Sequence, residues 1–390
     1  MDEKLKQSIA EAISSTGFPL EHSICNILKK HSWNIISNRY YIDDVKGSER
    51  EIDIIAYKNT RIVDDVEYIT ALVISCKKSE HNRWCFLTRD ADKASGNINW
   101  TPLHFCSTDE RLGHILETQN KQLFSQYLSN RALLHLYSFD RQVFTFQEVQ
   151  NSKKQQDKGK GNLCVKSNDN IYNSIITPIK AISAEKKSRI EKYSNQSKRC
   201  YLFYAISIFE GEMIEVYFDC DGKQNIEEIK NIKYLNRHIV NNVDDFYIVD
   251  FNTNENFDYR LNLYDILHTE NTKYLTKMLK DFYVDIFDHP ERVRLLWKEF
   301  ELKVSTVTRC NVEEKTGLMI NHNNYALRYD YQKEPQCLTI DISYDNRLSD
   351  SQWEALNNSR ILKSMYRYKL KDYFSYTGKF EFGRIYPCLT

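Results

Sequence analysis

The sequence lacks several features that would assign it to a protein class at once. It has no run of eighteen apolar residues, and its N-terminus, MDEKLKQSIAEAI, has no apolar signal region. We therefore expect neither a membrane span nor secretion. The ten cysteines form no CxxC pair, which disfavours a zinc ribbon or a disulfide framework and indicates a reducing, cytoplasmic setting. The formal net charge is zero, so the overall balance gives no indication of a nucleic-acid partner.

Positive charge is nevertheless concentrated in one segment. Residues 153–199 contain twelve Lys and Arg against four Asp and Glu, a local excess of eight positive charges. A cluster of this kind can bind phosphate, and we take Lys186, Lys187 and Arg189 as candidate nucleic-acid contacts. The alternative is that the segment is a solvated linker and helix face, as most charged runs are.

The 390 residues suffice for two or three domains. Two short helices are predicted at 3–14 and 19–30, followed by strands at 33–42, 50–57 and 68–78. A long helix at 168–193 and a strong strand at 200–209 come later, and 210–219 is predicted to form a hairpin with that strand. This order of elements predicts an α/β fold, in which helices flank a mixed central sheet.

The same pattern suggests a division of the chain. Residues 1–80 and 165–255 would form the core, and 81–164 would be a large insertion that contains a flexible loop at 151–162. Residues 256–390 would form a C-terminal α+β extension of unknown role.

Charged residues interrupt two of the apolar strands. Asp53 lies within REIDIIAY (50–57), and Lys77 follows the apolar run of ALVISCKKSE (71–80). Because side chains on a strand alternate between faces, Ser75 and Lys77 share a face, and Asp53 can meet both if the two strands pair. Glu21, at the border of the apolar stripe of its helix, can reach the same end of the sheet.

Glu21, Asp53 in REIDIIAY and Lys77 in VISCKKS together resemble the signature of the PD-(D/E)XK nuclease superfamily, and the element order over 18–80 resembles its restriction-endonuclease-like core. The resemblance implies that Mg²⁺ or Mn²⁺ is held by Glu21, Asp53 and the backbone carbonyl of Cys76. It also implies that Lys77 orients or deprotonates the attacking water. Carboxylates suit Mg²⁺, which prefers oxygen ligands, and a cation both neutralises a phosphodiester and activates water.

Ser75 departs from the family pattern, which usually has Glu or Asp, and sometimes Gln, at this position. The loss of one unit charge at about 4 Å from a cation could cost up to about 4 kcal/mol at an effective dielectric constant near 20. Glu21, Glu51 or Glu80 can supply the missing charge, or the site can hold its metal weakly and prefer Mn²⁺, or the domain can bind without cutting. Lys78 and Arg83, which follow Lys77, are further candidate nucleic-acid contacts.

These observations predict a metal-dependent nuclease that acts as an endonuclease on DNA, alone, as a homodimer or in a larger complex. A bacterial anti-phage defence role is suggested by analogy alone. The first alternative is a catalytically silent protein of nuclease fold that binds nucleic acid or acts as a scaffold. The second is an unrelated α/β protein in which Asp53 and Lys77 form an ordinary cross-strand ion pair, worth about 0.2–1 kcal/mol.

Overall fold

A computed structural model describes residues 1–43, 47–96, 98–151, 163–193, 197–320, 325–343 and 348–386. The helices in these ranges are α1 (Glu3–Ser14), α2 (Phe18–Lys30), α3 (Glu110–Thr118), α4 (Asn120–Ser129), α5 (Leu134–Tyr137), α6 (Asp169–Tyr193), α7 (Phe257–Asp281), α8 (Pro290–Thr316), α9 (Asp350–Asn357) and α10 (Arg360–Phe374). The strands are β1 (Asn34–Ile42), β2 (Glu49–Arg61), β3 (Glu67–Lys78), β4 (Asn82–Asp90), β5 (His104–Ser107), β6 (Arg141–Asn151), β7 (Leu163–Val165), β8 (Arg199–Glu210), β9 (Met213–Phe218), β10 (Gln224–Ile229), β11 (Asn231–Val240), β12 (Val243–Thr253), β13 (Ala326–Gln332), β14 (Cys337–Ser343) and β15 (Lys379–Phe382).

The predicted mixed α/β character and the order of two helices, three strands, a long helix and a strand are confirmed. β2 is longer than predicted and continues to Arg61, because its far end pairs with the start of β3 at Glu67. Of the predicted loop at 151–162, residue 151 ends β6 and the remainder lies outside the described residues. In the described part of the chain, no helix is both long enough and apolar enough to cross a membrane.

Contacts divide the chain into two compact units, Met1–Thr276 and Lys277–Thr390. The first unit contains a seven-stranded mixed sheet in the order β1-β2-β3-β8-β12-β11, with β5 also paired to β8. β1, β2 and β3 form an antiparallel meander. β8 is parallel to β3 along its whole length, from the Glu67–Arg199 pair to the Lys78–Glu210 pair. β8 is thus a central strand. Because it runs parallel to β3, the chain between the two strands must return from the end of β3 to the opposite end of the sheet.

A second sheet, in the order β10-β9-β4-β6-β7, also belongs to the first unit. The predicted hairpin over 200–219 is therefore wrong: β8 lies in the first sheet, while β9 pairs with β4 and β10 in the second. β8 has no free edge at this end, because β3 and β12 already flank it. The chain leaves β8 at Gly211, where a Cβ atom would lie 2.5 Å from the ring of Phe209 and 2.8 Å from the Ser79 carbonyl oxygen.

Helices cover the central sheet. α2 packs against β1 to β3 through Leu20, Ile24 and Leu28, which are all buried. α6 packs against β3 and β8 and joins a core that includes Ile55 and Val73. Because consecutive residues are buried in β2 (54–56) and in β3 (68–76), both faces of these strands are covered.

A buried carboxylate ties α6 to the first two strands. Glu185 on α6 accepts hydrogen bonds from Arg39 of β1, from the hydroxyl of Tyr57 on β2 at 2.9 Å, and from Arg189, one turn further along α6, at 2.7 and 2.9 Å. The side chain of Glu185 is only 5% exposed. Burial of this charge is tolerated because three donors neutralise and solvate it.

The second unit has its own core. Its three-stranded sheet has the order β13-β14-β15, with β14 antiparallel to β13 and parallel to β15. The helices α8 and α10 pack against each other and bury Phe300, Tyr366 and Phe374. The division of the first unit into a core and an insertion, and the role of the second unit, stay predictions.

We expect Glu185→Ala to lower the free energy of unfolding of the first unit by about 3–5 kcal/mol, because it leaves the buried Arg189 charge without its carboxylate. Chemical denaturation followed by circular dichroism measures the change. The control is Glu270→Ala, which removes the partner of Lys273 in a surface ion pair and should cost no more than about 1 kcal/mol. Equal effects of the two substitutions would contradict the anchoring role of Glu185.

Candidate active site

Asp53 lies where the ladder between β2 and β3 ends. The last paired residues are Ile54 and Ile74, so the strands separate one residue further on. There the Asp53 carboxylate replaces a backbone acceptor: its Oδ2 atom accepts the N–H of Cys76 at 2.6 Å. A hydrogen bond from a buried amide to a charged oxygen is among the stronger ones, so the position of Asp53 relative to β3 is fixed.

Two further side chains, which the sequence analysis predicted to meet Asp53, lie close to the same oxygen. Ser75 Oγ lies 3.3 Å from Asp53 Oδ2, and Lys77 Nζ lies 3.4 Å from it. Lys77 Nζ also donates to the carbonyl oxygen of Cys76 at 3.0 Å. The side chains of Lys77 and Asp53 are 31% and 17% exposed, so the pair is recessed but open to solvent. The predicted meeting of these residues at one end of the strands is confirmed.

Glu21 of α2 belongs to the same electrostatic environment. Partial burial raises its pKa above the ordinary value, as do the negative charges of Asp53 and Glu51, while the Lys77 ammonium lowers it. Three carboxylates therefore repel one another beside the Lys77 ammonium. Such an arrangement favours the binding of a further positive charge.

Ser75 is fully buried, and its partner in the parallel ladder is Ser207 of β8. Ser207 is buried too, and its hydroxyl has no hydrogen-bond partner among the described residues. Position 75 thus holds a neutral hydroxyl rather than a carboxylate, and its neighbour in the ladder is a second hydroxyl.

The two other acids proposed as substitutes lie in different places. Glu51 lines the same cleft as Asp53 and accepts a hydrogen bond from Asn38 at 2.6 Å. Glu80 is exposed and lies 3.9 Å from Lys78 Nζ, which also binds Glu210 at 2.8 Å. The hydrogen bond to Glu210 raises the pKa of Lys78. Glu51 therefore has access to the site, whereas Glu80 belongs to a separate ion-pair cluster.

The candidate nucleic-acid contacts are scattered. Arg83 is paired with Glu212. Lys187 is exposed, whereas Lys186 is half-buried. Burial lowers the pKa of His104 to about 3, and the nearby Lys186 ammonium contributes to the same shift. Arg189 is only 9% exposed and engaged with Glu185. This placement argues against a direct contact between Arg189 and nucleic acid, because the guanidinium would have to leave a buried ion pair.

Asp53 and Lys77 open into a cleft of about 630 Å³, a volume typical of ligand sites. Its walls include residues that the sequence analysis did not assign to the site: Arg50, Tyr172, Thr177 and Lys180. Lys180 and Arg50 both contact the buried Asp43 carboxylate, at 3.0 and 3.8 Å. The one available signal was the spacing 172, 173, 176, 177, 180, which marks a single face of the predicted long helix.

The residues at the site offer the kind of ligand atom that a hard cation prefers. Asp53, Glu21 and the Cys76 carbonyl are all oxygen donors, as Mg²⁺ and Mn²⁺ require. Two of these oxygens, on Asp53 and Cys76, now contact the Lys77 ammonium. Within the described residues, no group of three or more His, Cys, Asp and Glu side chains is arranged to hold a metal ion. The site would thus depend on two carboxylates, a carbonyl and water.

In chelator-treated protein, we expect Asp53→Asn to lower the pKa of Glu21 and Lys77→Met to raise it, because the first removes a repelling charge and the second an attracting one. Titration of the Glu21 carboxyl carbon by nuclear magnetic resonance measures both shifts. Glu80→Gln, outside this cluster, should leave the pKa unchanged. A Glu21 pKa insensitive to both substitutions would place Glu21 outside the site.

Comparison with known proteins adds no relative to this picture. No protein-family model, curated protein or solved structure matches the chain.

Proposed function

We propose that the protein is a metal-dependent nuclease of the PD-(D/E)XK type that hydrolyses phosphodiester bonds of DNA as an endonuclease. One observation carries the proposal. The carboxylate of Asp53, the ammonium of Lys77 and the carbonyl of Cys76 meet where β2 and β3 separate, beside an open cleft. The surrounding α–β–β–β–α–β order, with β8 parallel to β3, supports a restriction-endonuclease-like core.

The roles of the residues follow from their positions. Asp53 and Glu21, with the Cys76 carbonyl, would hold Mg²⁺ or Mn²⁺. When bound, the metal supplies charge neutralisation at the phosphate and a more acidic water. Lys77 lies within hydrogen-bond reach of two of the proposed ligand oxygens, so its ammonium can orient a water there and stabilise negative charge that develops on the phosphate.

A second candidate is a catalytically silent protein of the same fold that binds nucleic acid or acts as a scaffold. It is favoured by buried Ser75, which leaves the site without the usual acid. In a third reading, the contact between Asp53 and Lys77 is a structural ion pair alone. A defence role and a larger defence complex are extensions of the proposal that rest on analogy, whereas a homodimer would suit the cutting of both strands of a duplex.

The experiment is cleavage of plasmid and oligonucleotide DNA in Mg²⁺ or Mn²⁺. We expect the wild type to cut, and Asp53→Ala and Lys77→Ala to lose about 10²–10⁴-fold in rate, the usual contribution of a positioned acid–base group. Lys273→Ala, which breaks a surface ion pair, should cut at the wild-type rate. Binding without cleavage in either metal would favour the silent candidate. Absence of both binding and cleavage would favour the third reading, in which Asp53 and Lys77 form a structural ion pair alone.

Replacement of Ser75 tests what compensates for the missing acid. If the site is weakened, Ser75→Glu should increase cleavage in Mg²⁺ by up to about a thousandfold, because the added charge near the metal is worth up to about 4 kcal/mol. If Glu21 already supplies that charge, Ser75→Glu should have little effect and Glu21→Gln should abolish cleavage. Parallel assays of the two variants separate these cases, and full activity of Glu21→Gln would exclude Glu21 as a ligand.

A further inference from the structure

The cleft beside Asp53 is built from three parts of the chain. Asp53 and Lys77 line it together with Arg50, which lies near the start of β2. The face of α6 that begins at Tyr172 and Ile239 of β11 line it as well. The side chains of Asp53 and Lys77 are less exposed than Tyr172 and Ile239, so the proposed reactive groups are the more recessed part of the lining.

This shape limits how DNA can reach the site. The side chains of Asp53 and Lys77 are only 17% and 31% exposed, so a phosphate must enter the cleft to contact them. A DNA duplex has a persistence length of about 150 base pairs, and bending it sharply costs free energy, so fitting its backbone to a recess of about 630 Å³ is unfavourable. An unpaired strand has rotatable bonds and no partner strand, so it can enter.

The lining carries apolar surface that the fold does not bury. Tyr172 is 51% exposed and Ile239 is 69% exposed. The turn after β11 is fixed against α6 by a 2.7 Å hydrogen bond from Asn241 to Ser183. An exposed aromatic ring on a fixed helix face is the usual platform for an unpaired base, because stacking needs a flat apolar surface and no particular base.

The lining also includes a cation, Arg50. The Arg50 side chain is 46% exposed and is 3.8 Å from Asp43, beyond close hydrogen-bond range. Its guanidinium can therefore contact a backbone phosphate without losing a strong ion pair. The lining of the cleft thus combines an exposed aromatic ring, a partly exposed cation and the proposed reactive groups.

We propose that this cleft binds single-stranded DNA, with a base stacked on Tyr172, the backbone phosphate beside Arg50 and the next phosphodiester placed at Lys77. This inference rests on the proposed nuclease function for the role of Lys77. The stacking and phosphate contacts are independent of catalysis.

The test is fluorescence anisotropy of labelled oligonucleotides with the full chain in chelator, which prevents cleavage. We expect the single strand to bind at least tenfold more tightly than a duplex of the same sequence. Tyr172→Ala should weaken single-strand binding by about fivefold to 150-fold, the range for loss of one stacked base. Tyr172→Phe should retain most of it. The matched control is Tyr40→Ala, since Tyr40 is 59% exposed on β1 and lies outside the lining of the cleft.

The phosphate contact has its own readout. Arg50→Gln should weaken binding of all single-stranded sequences alike and lower the slope of log affinity against log salt concentration by about 0.7, the value for one phosphate contact on a single strand. An unchanged slope would show that Arg50 makes no phosphate contact in the complex.

The outcomes separate this inference from the proposed function. Duplex bound as tightly as single strand, or Tyr172→Ala equal to Tyr40→Ala, would overturn the inference. Cleavage of duplex DNA that depends on Lys77 would then leave the nuclease proposal intact. Preferential single-strand binding that depends on Tyr172, with no cleavage in Mg²⁺ or Mn²⁺, would support the cleft as a binding site and overturn catalysis.

Discussion

One carboxylate oxygen, Asp53 Oδ2, organises the site. It accepts the backbone N–H of Cys76 and contacts the side chains of Ser75 and Lys77. The interaction takes over where the backbone ladder of β2 and β3 stops, so it joins the strands at the point where they separate. It also turns the Lys77 ammonium toward the Cys76 carbonyl. A substitution that removes this oxygen leaves a buried N–H without its acceptor, and the positions of both other groups change with it.

The electrostatics suggest a physical reason for Ser75. Burial and the charges of Asp53 and Glu51 already raise the pKa of Glu21. An additional carboxylate at the fully buried position 75 would increase this repulsion, by up to about 4 kcal/mol for a charge about 4 Å away at an effective dielectric constant near 20. Serine keeps a hydrogen bond to Asp53 and adds no charge. The cost is a smaller attraction for a bound cation.

Features that depend on residues close together in the chain could be predicted from the sequence. Alternation along a strand sufficed to predict that Asp53, Ser75 and Lys77 meet, and the apolar spacing sufficed for α2 and α6. The sequence was uninformative where the outcome depends on distant partners. The predicted hairpin between β8 and the strand that follows it does not form, because β3 and β12 occupy both edges of β8. Arg189 is removed from the surface by Glu185 and Tyr57. The cleft walls could not be foreseen, because Arg50 and Tyr172 come together only through the packing of α6 on the sheet.

We propose that the oxygens around Lys77 form a cation site for phosphodiester hydrolysis. An anomalous difference map from crystals grown with Mn²⁺ measures this most directly. We expect a peak that contacts the Asp53 carboxylate and the Cys76 carbonyl, with Glu21 directed toward it and the Lys77 ammonium moved aside. A map without a peak at saturating Mn²⁺, in which Lys77 still bridges Asp53 and Cys76, would contradict it.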